Sequence, residues 1–268
     1  KKAMNRVIII TGASSGIGLA MAKRFQKAGD IVYGVSRHYP KQGYDFKYLL
    51  CDITDMEQIK VLVSKIKEEA GRVDILVNCA AMGISGAIEE TPNEMYDMIF
   101  STNVKSVFML TKEMLPLLRE SIDPRIINFS SVAGEISIPF QVFYSMTKAS
   151  IEAFSYGLSL ELRPELIQVT TVLPGDTKTG FTAAREKNPV VLGSVYEKRL
   201  EKSVAKMEHD EQTGVDPDYV AKIVERLARR KKMPVVRTVG IGYKILVFLN
   251  RILPRSMARW IVYLMYGK

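Results

Sequence analysis

A chain of 268 residues with 47% hydrophobic and 25% charged residues has the make-up of a globular protein able to bury a substantial core. Two cysteines and two histidines exclude a disulfide framework and argue against a zinc site or a histidine-based triad. The formal charge of +9 is concentrated in one place: Tyr219–Lys268 holds twelve Lys/Arg against a single acid, Glu225, which leaves the body near neutral.

Short apolar runs alternate with longer segments of helical period. In chain order the strands are expected at Val7–Ile10, Ile31–Val35, Tyr48–Cys51, Ile75–Asn78, Ile126–Phe129, Val169–Leu173 and Val235–Val236. Helices are expected between them at Gly16–Ala28, Met56–Ala70, Asn93–Leu118, Phe143–Leu162 and Tyr219–Arg230. Near-continuous apolar strands separated by helices predict an α/β fold: a single doubly wound, Rossmann-type parallel sheet covered on both faces. The link from Ser36 to Lys47 is at the lower limit for a crossover and reads as one helical turn or irregular chain. No linker marks a second domain. The apolar run after Arg6 is too short for a secretory leader, and Cys51 and Cys79, each at a strand end, read as buried free thiols; both predict a reducing, cytoplasmic setting.

The first strand runs into TGASSGIG, and the first helix opens inside that loop. Unpaired N–H groups at a helix start attract anions, phosphate above all. Gly12 suits the tight turn, Gly16 the approach of a pyrophosphate, and Gly18 the close packing of helix on strand. The spacing is GxxxGxG, and a glycine-rich turn without a ligand is the plainer alternative. The second strand ends in Ser36-Arg37, with no acid before Asp45. A guanidinium there matches a 2′-phosphate, whereas a carboxylate would hold ribose hydroxyls. This favours NADP(H) over NAD(H), with Arg37 as the contact, unless Arg37 is merely a solvated loop residue.

YSMTK places Tyr144 and Lys148 on one helix face. INFSSVAG offers Ser131 at the end of a strand, STNV offers Asn103 within a helix, and LVNCAA ends a strand with Asn78. Taken in order with TGASSGIG, Asp52 in CDIT and PGDTKT from Pro174 to Thr179, these motifs make the chain resemble the short-chain dehydrogenase/reductase family over residues 4–180. The family's usual Asn-Asn-Ala-Gly is altered here at Cys79 and Ala81. The resemblance implies that Tyr144 is the general acid and base and that Lys148 helps to lower its pKa and holds the nicotinamide ribose. It implies that Ser131 donates to the substrate oxygen and Asn103 holds a relay water. It further implies cofactor contacts from Ser14, Ser15 and Ile17 in the glycine loop, from Asp52 and Ile53 at the adenine, and from Asn78 and Ala80 at the adenosine ribose. Pro174, Gly175, Thr177 and Thr179 would meet the carboxamide. Bland alternatives stand beside these: Ser131 capping a turn, Asn103 bonding backbone, Asp52 capping the next helix.

Residues 180–214 read as a substrate lid or a surface excursion. From residue 238 the chain forms a helical extension broken at Pro254. Its first half aligns Ile241, Ile245, Phe248, Leu249 and Ile252; its second aligns Met257, Trp260, Ile261, Leu264 and Met265. The longest uncharged stretch, Trp260–Gly267, is far short of a membrane span. The stripes could pack over the substrate pocket, lie on an anionic membrane surface as a peripheral contact, or meet another subunit of a homo-oligomer. A greasy extension resembles the hydroxysteroid and retinol dehydrogenase branch, which implies a bulky apolar ketone or alcohol as substrate. A 3-oxoacyl-carrier-protein reductase and a non-catalytic dinucleotide sensor are the alternatives. Neither a metal nor a nucleic-acid partner is expected.

Overall fold

The structure, a computed structural model, describes residues 5–41, 43–188 and 191–267. Pro189 and Val190 of the expected lid, and Lys268 at the end of the expected extension, lie outside these.

The chain runs β1 (Val7–Thr11), α1 (Gly16–Lys27), β2 (Ile31–Ser36), β3 (Lys47–Leu50), α2 (Met56–Ala70), β4 (Ile75–Asn78), β5 (Ile84–Ser85), α3 (Asn93–Phe100) and α4 (Ser106–Arg119). It continues through β6 (Arg125–Phe129), α5 (Val132–Glu135), α6 (Val142–Glu161), β7 (Gln168–Leu173), α7 (Phe181–Ala184) and β8 (Glu186–Lys187). It closes with α8 (Glu197–Gln212), α9 (Pro217–Ala228), β9 (Val236–Thr238), α10 (Ile241–Ile252) and α11 (Arg255–Tyr266).

Seven strands form one parallel sheet in the order β3-β2-β1-β4-β6-β7-β9. All five residues of β1 are buried, because both faces of the sheet are covered. Ile8 and Ile10 join Leu19 and Phe25 of α1 and Val224 of α9 on one face. Val7 and Ile9 join Ile59 and Leu62 of α2 and Met114 and Leu117 of α4 on the other. Each such side chain contributes about 1.5–3 kcal/mol when buried. The order reverses beside β1, with β2 on one side and β4 on the other. That places a crevice at the carboxyl ends of the strands.

The expected strands all form, each shifted by no more than a residue or two, and the Ser36–Lys47 link has no regular structure among its described residues. The expected helix Asn93–Leu118 is interrupted by a π-helical turn over Ser101–Lys105, where Ser106 N bonds back to Ser101 O. The sixteen-residue α8 within the expected lid was not foreseen. Its buried face is only Leu200, Ser203 and Met207 among charged neighbours, too sparse an apolar rhythm to stand out in the sequence. The short β5 and β8 pair with each other in parallel, Ile84 opposite Glu186, and tie the loop after β4 to the lid.

Candidate active site

A cleft of about 680 Å³ opens along the carboxyl ends of the strands. At one end stands the glycine loop, with Gly12, Ser14, Ser15, Gly16, Ile17 and Gly18 on the wall. Gly12 sits at φ +71°, and a Cβ there would come within 2.9 Å of the Ala80 backbone. A Cβ on Gly18 would overlap the carbonyl oxygen of Gly12, so loop and helix meet backbone to backbone. The Ser15 side chain makes no capping bond and the first turn of α1 holds no acid. The donors of that turn are thus left for an anion from the cleft. Thr11 Oγ1 accepts from Cys79 N at 3.0 Å and Ala80 N at 3.1 Å, which draws the chain after β4 against the loop.

Ser36 and Arg37 leave β2 on the same wall, Arg37 exposed. Ser36 Oγ donates to His38 O at 2.6 Å and pairs with the Tyr48 hydroxyl. Asp52 and Ile53, just beyond β3, line the cleft beside them. Asp52 Oδ1 accepts from Thr54 N at 2.9 Å and Thr54 Oγ1 at 2.7 Å. The N-cap of α2 is Asp55, not Asp52. Ala80 is on the wall and Asn78 is not. Asn78 is buried, and its Nδ2 donates to Asn128 Oδ1 at 2.8 Å and Thr111 Oγ1 at 3.1 Å. Asn128 in turn donates to Ser155 Oγ at 2.9 Å. This polar ladder stitches β4 and β6 to α4 and α6 and fixes the backbone at Asn78 and Ala80, from which the ribose contact is expected.

At the centre of the cleft, Ser131, Tyr144 and Lys148 converge. One helical turn of α6 sets Tyr144 and Lys148 on the same face, with Lys148 Nζ 5.5 Å from the tyrosine ring centre. Lys148 Nζ donates to Phe129 O at 3.0 Å, which anchors it to the end of β6. Burial lowers the Lys148 ammonium to about 8. Burial pushes the Tyr144 phenol above its ordinary value, and its hydrogen bond with Ser131 pulls the other way. Ser131 also caps α5 by accepting from Ala133 N at 3.1 Å, so its capping role and its place on the cleft coexist. Cys79, which replaces the family's usual asparagine, lies on the wall as a thiol raised to about 12 by burial.

Asn103, expected to hold a relay water, lies just behind the cleft. It sits in the π-helical turn, off the cleft wall and 1% exposed. Its Oδ1 accepts from Met82 N at 2.9 Å, while its Nδ2 donates to Met82 O at 2.9 Å and Thr147 Oγ1 at 3.1 Å. The amide is consumed in clamping the loop after β4 to α6, and so it positions Tyr144 from behind.

Residues 6–189 match the family described as short chain dehydrogenase. The chain belongs to this family. It is 34% identical over 264 residues to a 3-ketodihydrosphingosine reductase of Bacteroides thetaiotaomicron, covering 98% of each chain. Among solved structures, a short-chain dehydrogenase from Streptomyces avermitilis superposes with a TM-score of 0.83 at 29% identity, over 98% of this chain and 97% of that one. An actinorhodin polyketide ketoreductase with NADPH gives 0.74 at 28% identity, over 89% and 97%. The protein is an oxidoreductase acting on CH–OH groups, of a family that binds NAD(P)(H).

The far end of this short-chain dehydrogenase's cleft is apolar. Pro174, Gly175, Thr177 and Thr179 follow β7 along its floor. Thr177 Oγ1 donates to Gly175 O at 3.0 Å, and Thr179 Oγ1 accepts from Phe181 N at 3.1 Å. Phe181 stands 5.6 Å from the Tyr144 ring. Beyond it, Met207 of α8, Leu246 and Leu253 of the α10 segment, and Ile261 and Met265 of α11 close the wall. Glu211 accepts from Thr182 Oγ1 at 2.6 Å and from Arg185, which neutralises this carboxylate.

Tyr243 is a cleft residue that motif reasoning missed. Its ring lies directly on Gly175, and its hydroxyl donates to Asp176 Oδ2 at 2.6 Å and accepts from Asp176 N at 3.0 Å. A signal did exist. Tyr243, Leu246, Asn250 and Leu253 recur at helical spacing on a second face of α10, opposite the more conspicuous isoleucine stripe.

Proposed function

We propose that this dehydrogenase reduces a bulky apolar ketone with NADPH and runs the reverse reaction on the corresponding secondary alcohol. The observation that carries the reading is the single cleft in which Tyr144, Lys148 and Ser131 stand between a glycine-loop end and an apolar end. The glycine loop fits a dinucleotide: its helix start offers uncapped N–H donors, and the space beside Gly12, Gly16 and Gly18 has no room for added side chains. Arg37, at the end of β2 with no acid near it in sequence, would hold a 2′-phosphate through its planar fork of donors. Asp52 and Ala80 would border the adenosine. Thr177 and Thr179 would fix the carboxamide.

When bound, the nicotinamide supplies or accepts the hydride. The protein's own part is protonic and electrostatic. Tyr144, like any phenol, keeps its proton at neutral pH, and it stands where it can give that proton to a carbonyl oxygen. Ser131 donates to the same oxygen, where negative charge grows. Lys148, still largely protonated at pH 7, faces the side of Tyr144 from which charge must be balanced. Met207, Leu246, Leu253 and Ile261 give the substrate end an apolar wall. The Bacteroides relative is named for 3-ketodihydrosphingosine, itself an alkyl ketone, which agrees with that lining.

The test is consumption of NADPH and of NADH, in parallel, over a graded series of alkyl and polycyclic ketones. Turnover that prefers NADPH and improves as the apolar group lengthens is expected. Equal use of NADH would remove the Arg37 assignment. Faster turnover of small polar ketones, or turnover only on carrier-bound acyl groups, would overturn the substrate class.

A further inference from the structure

α10 and α11 close the apolar end of the cleft with one face and turn a second apolar face outward. On α10, Ile241, Ile245, Phe248 and Ile252 share the outer face; Ile241 is 75% exposed and Phe248 60%. On α11, Met257, Trp260 and Leu264 do the same, with Trp260 at 60%. α10 buries only Val247 and α11 buries no residue fully. Leu249, Ile261 and Met265 belong to both surfaces: they line the cleft and reach solvent. Apolar surface therefore runs unbroken from outside the molecule to the wall that faces Tyr144. So large an exposed apolar area marks an interaction site.

The charge around it selects the partner. Lys244, Arg255 and Arg259 are exposed on these two helices, and no acidic residue follows Glu225 in the sequence. A second copy of this chain docked by twofold symmetry would bring the same patch, and the same cations, against each other. An anionic lipid surface answers both features: headgroups meet the cations and the acyl boundary takes the apolar side chains. No helix among the described residues is long and apolar enough to cross a membrane, so the contact would lie in the interface plane.

We propose that α10 and α11 form an interfacial docking hairpin that seats the enzyme on an anionic bilayer. A lipid-dissolved ketone then enters the cleft between them without crossing water. The entry route rests on the apolar-ketone reading above; the docking itself does not.

Trp260 is the chain's single tryptophan and sits on the docking face, so it reports contact directly. The experiment records its emission with phosphatidylcholine vesicles and with phosphatidylglycerol vesicles. A blue shift with the anionic vesicles, weakened by high salt, is expected, along with co-sedimentation. Ile245→Asp combined with Phe248→Asp, neither on the cleft wall, is expected to lower vesicle binding at least tenfold while sparing turnover of a water-soluble ketone. Two results would overturn the proposal: no shift with anionic vesicles, or a shift that appears without lipid as protein concentration and mass rise together. Vesicle binding by a protein that turns over no ketone would sustain docking and defeat only the reaction reading.

Discussion

α9 and α10 are both twelve residues long and both carry a strong apolar stripe. α9 buries Val220, Ala221, Val224, Leu227 and Ala228 against α1 and the sheet. Arg24 of α1 grips the Asp218 carboxylate with two bonds of 2.6 Å, and Asp216 caps the helix start. α10 begins without a side-chain cap, at Gly240 with φ +90°, and leaves its strongest apolar stripe in solvent. Helical period tells which side chains share a face. It does not tell what covers that face. α9 lies between β7 and β9 in sequence, so the crossover forces it onto the sheet. α10 follows the edge strand and has the cleft beneath it, with Asn250 and Arg251 held to Glu135 of α5 at one side.

The contrast between a locked body and a loosely held cap can be broken by five substitutions. The largest effect is expected at the body's reacting centre. Tyr144→Phe removes the proton donor and should cut ketone reduction about 10²–10⁴-fold with an unchanged circular-dichroism spectrum; activity within tenfold of the parent would dismiss Tyr144 as the acid. Next comes a matched pair. Leu227→Ala in α9 should cost about 2–5 kcal/mol in denaturant unfolding, whereas Ile245→Ala in α10 should stay within about 0.5 kcal/mol. Equal costs would mean that α10 is covered after all. Arg37→Ala should reduce kcat/KM for NADPH about tenfold to a hundredfold and leave NADH nearly untouched.

The smallest effect lies where cap and body touch. Glu152 of α6 bonds Ser130 Oγ at 2.7 Å, beside Glu135 of α5, which is paired with Arg251 of α10. Burial raises Glu152 from 4.5 to about 7, with Glu135 adding repulsion and Arg251 opposing it. The folded state thus favours the protonated acid. That contribution is full below pH 4.5 and is lost as pH climbs toward 7. The melting temperature should therefore carry a downward component over this interval, absent in Glu152→Gln. A variant with the parent's slope would clear Glu152 of the effect.

Motif order made the sheet, the glycine loop and the Ser131–Tyr144–Lys148 centre legible, because strand ends and helix starts fix those residues through the backbone alone. The side-chain partners of Asn78 and Asn103 were not legible, for one shared reason. Each is polar and close to the cleft in sequence, and each spends its amide on buried partners from elements far along the chain. α8 was hidden by its sparse apolar face, and Tyr243 by a louder stripe on the same helix. Long-range partners of polar groups are what a sequence does not display.

The π-helical turn at Ser101–Lys105 also acts as a phase setter. An α-helix advances about 100° per residue, so the one extra residue accommodated there offsets the faces on its two sides by about that angle. Before the turn, Met98 looks into the cleft; after it, Leu110, Met114 and Leu117 look into the core. One continuous rod thereby serves two chambers. Deleting a single residue within the turn would restore a regular helix and swing one chamber's wall out of place, however well the sequence on either side were kept.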